Sequence, residues 1–466
     1  MESAKEMRAT AWLRCALTVL LIPAAGLLAA AEGTQQEPGV PGMETHRIED
    51  PVFKGRIAVY EAGRGNPRAI LLVHGIGPDG ARDFGDHITW LRESFHVIAV
   101  DLPGFGQSDQ ANVLYSPANY VGVVKHVADR YLGRPFVLVG HSMGALVSLR
   151  YAADFPGDVE RLVVVSAPGI LHRYVAGSRM LANLGLGYMP GGAGSLDSLG
   201  RFAGRILTPL ERLRVDPQTV LASPQLRGTL LGGDPARIAG LAAVADDVHR
   251  KLPDVRAETL VVWGARDTIA PPRTGRLLAL KLPQARLVMV EKAAHVPMQE
   301  NPDGFRAALE SFLERGLPPA VDGTAVTSRH GEVYCRRERQ REYTGEFDRL
   351  TLDGCQQARI RDARVRELRV IGSTVTIDDS HLGGGKTGMI ARGSTIVMTG
   401  GRIEGEVAIA AHGSRLDLAG VEVEGREAAI TASRRSYVVL SLSRLRSPYT
   451  QGEVHDFYTL NEHDRR

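Results

Sequence analysis

The sequence has little excess charge and no block of five or more lysines or arginines, and its formal net charge is +3 over 466 residues. Nucleic-acid-binding domains usually carry a clustered basic face, so we predict no nucleic-acid partner. Aromatic residues are scarce, at 6%, and the C-terminal part holds too few for a stacked platform that binds sugars. Glycine is abundant, with 52 residues. A chain of this length is expected to form two or three domains.

Cysteine is nearly absent, and the places of its three residues bear on the compartment. Three basic residues precede an uncharged run over 15–31 that ends in three alanines, which is typical of a secretory signal peptide. We therefore predict a signal peptide over 1–31 and export to the periplasm or the medium. An uncleaved N-terminal membrane anchor is the alternative. Removal of the signal leaves Cys335 and Cys355, which we expect to form a disulfide in an oxidising compartment.

Short apolar segments alternate with helical patterns from residue 54 to 316. This alternation predicts a doubly wound, mostly parallel α/β sheet with helices on both faces. The strand pattern stops between about 170 and 258, where helix-like segments with glycine-rich joints predict a helical cap over the sheet edge. Linkers are predicted over 32–53 and over 317–334, where proline and glycine interrupt the periodicity.

The last part of the chain, residues 335–466, is repetitive. Each repeat holds short apolar pairs at alternating positions, and a Gly-Ser or Arg-Ser step recurs about every 21 residues, at 372, 393, 413 and 435. Such repeats bury their inner faces only by stacking on one another. The pattern resembles the right-handed parallel β-helix class, and we predict this all-β fold for the region. The disulfide Cys335–Cys355 would then staple its first turn.

Ser142 lies in the stretch GHSMG, which follows the apolar segment 136–140 and precedes a helical pattern. This strand-turn-helix context gives a G-x-S-x-G match its weight. The two glycines leave room for a sharp turn that lifts the hydroxyl above the sheet edge, and the following helix N-terminus favours developing negative charge. We predict that Ser142 is a catalytic nucleophile. The alternative is a turn whose enzyme has lost its activity.

Two later segments supply the other members of a catalytic triad. Asp267 follows the strand pattern TLVVWGA, and His295 lies in a loop after the last strand pattern. In such a triad the histidine takes the serine proton and the aspartate holds the histidine in the right tautomer. Asp246 and Asp247 are an alternative source of the acid, although they fall in the predicted cap.

The stretch LLVHGIGPDG ends an earlier apolar segment with a glycine-rich turn. We predict that the backbone N–H groups of Ile76 and Met143 form an oxyanion hole, a feature that lowers the barrier to acyl transfer. His74, in the same turn, is expected to be a structural hydrogen-bonding residue and not a base.

Together with DLPGFGQSD (101–109) and WGARD, these motifs resemble the α/β-hydrolase superfamily over residues 54–316. The serine-acid-histidine order of the chain is the order found in that superfamily. The resemblance implies a serine hydrolase that forms and hydrolyses an acyl-enzyme, and nothing in its triad needs a metal or a cofactor. The serine argues against relatives that displace halide or open epoxides, because these use a carboxylate at this position.

The motifs are nearly silent about the substrate. We predict a carboxylesterase or lipase-like enzyme acting on a small-molecule or lipid-like ester. The alternatives are a carbon-carbon bond hydrolase, a lactonase and a thioesterase. The first is considered because the stretch HGIGP resembles the oxyanion turn of carbon-carbon bond hydrolases. A hypothesis of another class is a binding protein whose β-helix carries the function, with contact to cell wall or polysaccharide.

Overall fold

The structure is a computed structural model that describes residues 40–172, 216–319, 328–462 and 464–466. The structure does not describe the predicted signal peptide, residues 32–39 of the first predicted linker, residues 173–215 of the predicted cap or residues 320–327 of the second predicted linker. Within the described ranges no helix is both long and apolar enough to cross a membrane.

The first part of the described chain contains an eight-stranded sheet. Its strands are β1 Glu44–Glu49, β2 Arg56–Ala62, β3 Arg68–Val73, β4 Phe95–Val100, β5 Phe136–His141, β6 Val159–Val165, β7 Glu258–Gly264 and β8 Ala285–Val290. They lie in the order β1-β2-β4-β3-β5-β6-β7-β8. β1 and β2 run antiparallel to their neighbours and the remaining pairs are parallel. The mostly parallel sheet is thus confirmed, and β1 lies within 32–53, where no strand was predicted.

Helices cover both faces of this sheet because alternate residues of a strand point to opposite sides. Leu71 and Val73 of β3 belong to one apolar core, with helices α2 and α3. Ile70 and Leu72 belong to a second core, with helices α1 and α9. The described helices are α1 Gly85–Leu91, α2 Pro117–Tyr131, α3 Met143–Asp154, α4 Pro217–Ala222, α5 Pro224–Leu231, α6 Pro235–Val244, α7 Pro272–Lys281, α8 Pro297–Glu300 and α9 Pro302–Arg315, with 3-10 helices at Gly80–Phe84 and Val248–Asp254.

Proline opens seven of these nine described helices. Its fixed φ suits the first helical position, where the missing N–H would have no partner in the helix. Three of the helices that begin with proline, α4, α5 and α6, lie in the predicted cap over 170–258. Together with one 3-10 helix they make up the helical structure of residues 216–258.

The second part of the described chain is a sheet of strands that we call the C-terminal sheet. Its members are β9 Arg329–Arg336, β10 Glu342–Asp353, β11 Ala358–Val365, β12 Leu368–Ile371, β13 Thr374–Asp378, β14 His381–Leu382, β15 Thr387–Arg392, β16 Thr395–Thr399, β17 Arg402–His412, β18 Arg415–Ala419, β19 Glu422–Ala432, β20 Ser436–Arg446 and β21 Gln451–Leu460. β9 to β20 pair only in parallel with one another, and β21 runs antiparallel to β20. Since β11 pairs with both β13 and β10, the strands close into a ring. The prediction of a mainly parallel all-β region is confirmed.

The repeat length differs along the C-terminal sheet. Ala358 pairs with Val375, 17 residues later, whereas Thr374 pairs with Thr395, 21 residues later. The predicted period therefore fits the later repeats and is too long for the first. β9 already pairs with β10, so the sheet begins at Arg329, within the range predicted as a linker.

The recurring Gly-Ser step forms a buried ladder of serines. Each backbone N–H donates to the hydroxyl of the serine one repeat later, at 3.2 Å from Ser373 to Ser394, from Ser394 to Ser414 and from Ser414 to Ser436. The preceding glycines adopt positive φ, which a side chain would disfavour; they are Gly372, Gly393 and Gly413. The step therefore supplies both the sharp turn and the hydrogen bonds that the buried amides need.

Cys335 of β9 and Cys355, just after β10, form a disulfide, as predicted from the sequence. Both cysteines are buried. The bond ties the first repeat of the C-terminal sheet to the next one.

Candidate active site

Ser142 stands alone between β5 and α3, with φ of 51° and ψ of −118°. This region of backbone space is sparsely populated for residues other than glycine and is found at functional turns. The turn also requires its glycines. A Cβ on Gly140 would lie 2.4 Å from the carbonyl oxygen of Gly144, and one on Gly144 would lie 2.3 Å from that of Val73. The sequence folds locally into the sharp turn that the GHSMG motif predicts.

His295 links Ser142 to Asp267. Its Nε2 lies 3.0 Å from the hydroxyl oxygen of Ser142, and its Nδ1 lies 2.9 Å from Oδ2 of Asp267. All three side chains are buried, with 3–4% of each residue exposed. A neutral imidazole that donates from Nδ1 to the carboxylate accepts at Nε2 from the hydroxyl, which is the tautomer a general base needs. The structure thus brings the three predicted catalytic residues into one hydrogen-bonded chain.

The carboxylate of Asp267 is oriented by the turn that follows β7. Its Oδ1 accepts hydrogen bonds from the backbone N–H groups of Ile269 and Ala270, both at 2.9 Å. Gly264, at the end of β7, lets the histidine loop approach, since a Cβ there would lie 1.9 Å from the carbonyl oxygen of Ala294. One carboxylate oxygen is therefore held by the backbone, and the other is left for His295.

The turn after β3 lies against Ser142. A Cβ on Gly75 would come within 2.9 Å of the Cβ of Ser142. Ile76 is the next residue after Gly75, and Met143 is the next residue after Ser142, so both predicted oxyanion residues adjoin this close contact. The roles of their N–H groups stay predictions. Nε2 of His74 accepts from the N–H of Leu102 at 2.9 Å, which ties this turn to the loop after β4 and fits the structural role expected of it.

His141 and Asp83 adjoin the triad, and the sequence did not single out Asp83. Nε2 of His141 donates to the carbonyl oxygen of His295 at 2.9 Å, and its Nδ1 lies 3.8 Å from a carboxylate oxygen of Asp83. Asp83 follows the stretch LLVHGIGPDG by three residues, and no pattern in the sequence marks its proximity to His141. His141 thus ties the backbone of the histidine loop to the turn at Ser142, with Asp83 near its other ring nitrogen.

Asp246 and Asp247 both pair with Arg150. The guanidinium Nε of Arg150 lies 3.1 Å from both carboxylate oxygens of Asp246, and Asp247 binds the same guanidinium. Burial raises the pKa of Asp246, although its contacts with Arg150 oppose this rise. The alternative acid considered from the sequence is therefore engaged elsewhere, and Asp267 is the carboxylate that contacts His295.

One group of side chains in the described ranges has the spacing of metal ligands. Glu44, His46 and Glu61 place their ligand atoms within 4.8 Å of one another. Glu61, however, is already bonded to Arg64 and to His96, and its hydrogen bond with Arg64 is the main cause that lowers the pKa of its carboxyl to about 2. The guanidinium occupies the carboxylate that a cation would need, so we interpret the group as an ion-pair network.

Over about half of its length the chain is similar to known hydrolases. A sequence model of the alpha/beta hydrolase family matches residues 70–308. The chain is 29% identical over 268 residues to lipase 1 of Psychrobacter immobilis, covering 55% of this chain and 82% of that protein. It is 29% identical over 252 residues to a pimeloyl-[acyl-carrier protein] methyl ester esterase of Neisseria meningitidis, covering 54% and 94%. A solved structure of a hydrolase from Pseudomonas aeruginosa is 25% identical and covers 58% of this chain and 98% of its own, with a TM-score of 0.44.

Proposed function

The chain belongs to the alpha/beta hydrolase family, and we propose that it is an exported serine hydrolase that cleaves an ester with Ser142, His295 and Asp267. The observation that carries the proposal is the hydrogen-bonded chain between these three buried side chains, with the serine on a strained turn. A lipase and a methyl ester esterase among the relatives favour an ester over a lactone, a thioester or a carbon-carbon bond.

The reaction follows from the positions of the atoms. Nε2 of His295 takes the proton of the Ser142 hydroxyl as the oxygen attacks the ester carbonyl. The backbone N–H groups of Ile76 and Met143 stabilise the oxyanion. His295 then protonates the leaving alkoxide, which departs as the alcohol, and an acyl-enzyme remains. Water attacks the acyl group, His295 takes its proton and returns it to Ser142, and the carboxylic acid leaves.

Asp267 keeps one role throughout this cycle. It holds the imidazole in the tautomer with the proton on Nδ1 and stabilises the imidazolium that forms in each half of the reaction. The two backbone N–H groups on its other oxygen keep the carboxylate from rotating away.

The test is labelling of purified protein with a fluorophosphonate probe, mapped by peptide mass spectrometry. Wild-type protein is expected to carry the label on Ser142, and both Ser142→Ala and His295→Ala should lose it while keeping the circular dichroism of the folded protein. An unlabelled wild-type protein that also hydrolyses none of a series of p-nitrophenyl esters of increasing acyl length would refute the proposal.

We also propose that residues 1–31 direct export and are removed. The disulfide supports this, since such bonds persist in oxidising compartments. Expression of the full chain in a bacterial host, followed by fractionation and sequencing of the mature N-terminus, should give a start near residue 32. Retention of residues 1–31 in the membrane fraction would favour the alternative of an anchor.

For the C-terminal sheet we propose a parallel β-helix whose outer face binds an acidic polysaccharide. A groove of about 580 Å³ lies on this sheet and is lined by Gln340, Arg341, Glu342, Gln357, Arg359, Thr374, Val375, Thr376, Thr395 and Val397. Strands repeat about every 4.8 Å, so the hydroxyl and amide groups form rows that suit a linear, hydroxyl-rich polymer. Glu342 is paired with Arg361 and Arg341 with Glu338. The exposed Arg359 has no ion pair with another described residue, and its charge is available for a carboxylate of the polymer.

Retention on an immobilised polyuronate at low salt tests this binding. Arg359→Met should weaken it, whereas Arg392→Met, an exposed arginine of β15 outside the groove, should not. Equal retention of both variants and the wild type would contradict the groove as the binding site. Deletion of the whole region is not a suitable test, because Ala419, Val439 and Leu442 complete the apolar core of the hydrolase part.

A further inference from the structure

Helix α7 connects the proposed acid of the triad to the C-terminal sheet. The helix begins at Pro272, five residues after Asp267, and its second residue is Arg273, which is only 9% exposed. The guanidinium of Arg273 makes two hydrogen bonds to the carboxylate of Asp417, with Nη1–Oδ2 at 2.5 Å and Nη2–Oδ1 at 3.1 Å. Bidentate pairs of this kind fix geometry as well as charge.

The other donors of Arg273 also bond to the C-terminal sheet. Its Nε donates to the hydroxyl of Thr399 at 3.1 Å, and Nη2 lies 3.3 Å from the carbonyl oxygen of Met398. A surface pair would not need contacts from two strands, and a buried guanidinium without partners would be costly. The arginine is therefore fully engaged by strands β16 and β18, 125 to 144 residues away in the chain.

Apolar contacts one turn further along the helix exclude water from this junction. Leu277 is fully buried, and a Cβ on Gly420 would lie 2.8 Å from its Cδ1 atom. The helix makes three further ion pairs with described residues of the C-terminal sheet, and these are looser or more exposed. Arg276 lies 3.7 Å from Asp378 and 3.8 Å from Asp379, and Lys281 lies 2.5 Å from the exposed Glu453.

The short segment between Asp267 and Arg273 is stiff. The N–H of Ala270 donates to Oδ1 of Asp267, and the carbonyl oxygen of Ala270 accepts from the buried indole of Trp263 at 2.8 Å. Pro271 and Pro272 follow, and each ring fixes its own φ. A displacement of Arg273 is therefore passed on to Ala270 and to the carboxylate that Ala270 orients.

We propose that the Arg273–Asp417 pair is a positioning device through which the C-terminal sheet holds Asp267 against His295. The inference rests on the proposed function and extends it: the C-terminal sheet contributes to hydrolysis without touching the substrate. Arg273 and Asp417 are positioning residues, because both act through the segment that carries Asp267.

Asp417→Asn tests the proposal, since it keeps the shape of the side chain and removes the charge. We expect kcat for ester hydrolysis to fall by about tenfold or more with KM changed by less than about twofold, because Asp267 acts in the transition state and not in substrate binding. Asp417→Glu, which retains the carboxylate, should keep most of the activity. Arg276→Met and Lys281→Met are matched controls on the same helix and the same junction, and they should leave kcat unchanged.

The kinetic constants separate positioning from mere stability. A loss of stability alone would lower the unfolding temperature and leave the kcat of the folded protein unchanged, whereas a displaced Asp267 lowers kcat in protein that is fully folded. All variants are to be assayed at a temperature at which their near-ultraviolet circular dichroism matches that of the wild type.

The outcomes are distinct. If the wild type hydrolyses esters and Asp417→Asn keeps its kcat, the pair is only structural and the positioning role is wrong, while the proposed function stands. If the wild type neither hydrolyses esters nor reacts with the fluorophosphonate, the proposed function and the positioning role both fail. Should Asp417→Asn not fold, Thr399→Val removes one hydrogen bond to Arg273 and takes its place, with the same direction and a smaller change.

Discussion

The two sheets of this protein are both largely parallel, yet they bury their strands in different ways. In β4 and β5 every residue is buried, because helices cover both faces of the hydrolase sheet. In β11 and β13 buried residues alternate with more exposed ones, because the closed C-terminal sheet has an inner face and an outer face. In the first sheet the triad lies beyond the strands, on the segments that directly follow β5, β7 and β8. In the second, whole rows of polar side chains lie on the outer face.

The two sheets are expected to differ most in their contribution to catalysis, and the substitution with the largest effect is at Ser142. Ser142→Ala should lower kcat/KM by at least about 10³-fold, because the nucleophile of the acyl-enzyme is lost. The same substitution should leave the free energy of unfolding almost unchanged. Ester hydrolysis and denaturant unfolding on one preparation provide the check, and residual activity near the wild-type level would show that another residue attacks the ester.

Acid is expected to weaken the contact between the two regions. His455 of β21 stacks on His249 at 4.2 Å between ring centroids and lies 5.1 Å from His172. Burial, with His249, His172 and Arg250 nearby, lowers the pKa of His455 to about 3. The charged groups facing this cluster also include Asp247, Glu453 and Arg150. Because an unfolded histidine has a pKa near 6.5, the neutral cluster contributes its full stability above that pH and loses it as the pH falls toward 3.

His455→Phe keeps a ring in the stack and cannot be protonated. Its midpoint of urea unfolding should therefore fall less than that of the wild type between pH 7 and pH 4. Parallel pH dependences of the two proteins over this range would mean that His455 takes no part in acid destabilisation.

Reduction of the disulfide should affect the C-terminal sheet and spare the fold of the hydrolase sheet. The bond closes a loop between residues separated by 20 positions, and loss of such a bond costs about 3 kcal/mol. Cys335→Ala/Cys355→Ala should lower the urea midpoint accordingly while the kcat of the folded protein stays the same. A fall in kcat at low urea would show that the first repeats also support the triad.

The smallest effect is expected in the serine ladder. Ser394→Ala removes a buried hydroxyl that accepts from the N–H of Ser373 and donates to the carbonyl oxygen of Arg392. We expect a loss of about 1–3 kcal/mol in the free energy of unfolding, because a buried amide is left without its acceptor. Thr395→Ala, at the neighbouring exposed position, is the control and should change stability by less than about 0.5 kcal/mol.

Patterns that are local in the chain were enough to predict the hydrolase strands, the turn at Ser142 and the proximity of Asp267 and His295. Each of these depends on an apolar segment and on the residues that directly follow it, and the carboxyl ends of parallel strands meet at one edge of a sheet. The later repeats of the C-terminal sheet were predictable for a similar reason, since their Gly-Ser steps recur at a nearly constant spacing.

Contacts set by docking could not be predicted in this way. Asp83 lies beside His141, and Asp417 beside Arg273, although the partners of each pair are far apart in sequence. The GHSMG motif contains His141 but gives no sign of its carboxylate neighbour. β1 and β9 were missed because their residues are mostly exposed and show no apolar pattern, which resembles a linker. Their pairing is decided by the neighbouring strand and not by burial of their own side chains.

A stack of parallel strands has no built-in length, so its end strands decide whether molecules polymerise edge to edge. At one end β21 runs antiparallel to β20 and interrupts the parallel series. At the other end β9 is largely exposed, pairs with β10 alone among the described strands, and carries Arg329, Glu332 and Arg336. Charges on an exposed edge oppose the addition of a further strand, and the disulfide pins this edge in place. The same two ends that complete the fold therefore also protect the protein against fibre growth.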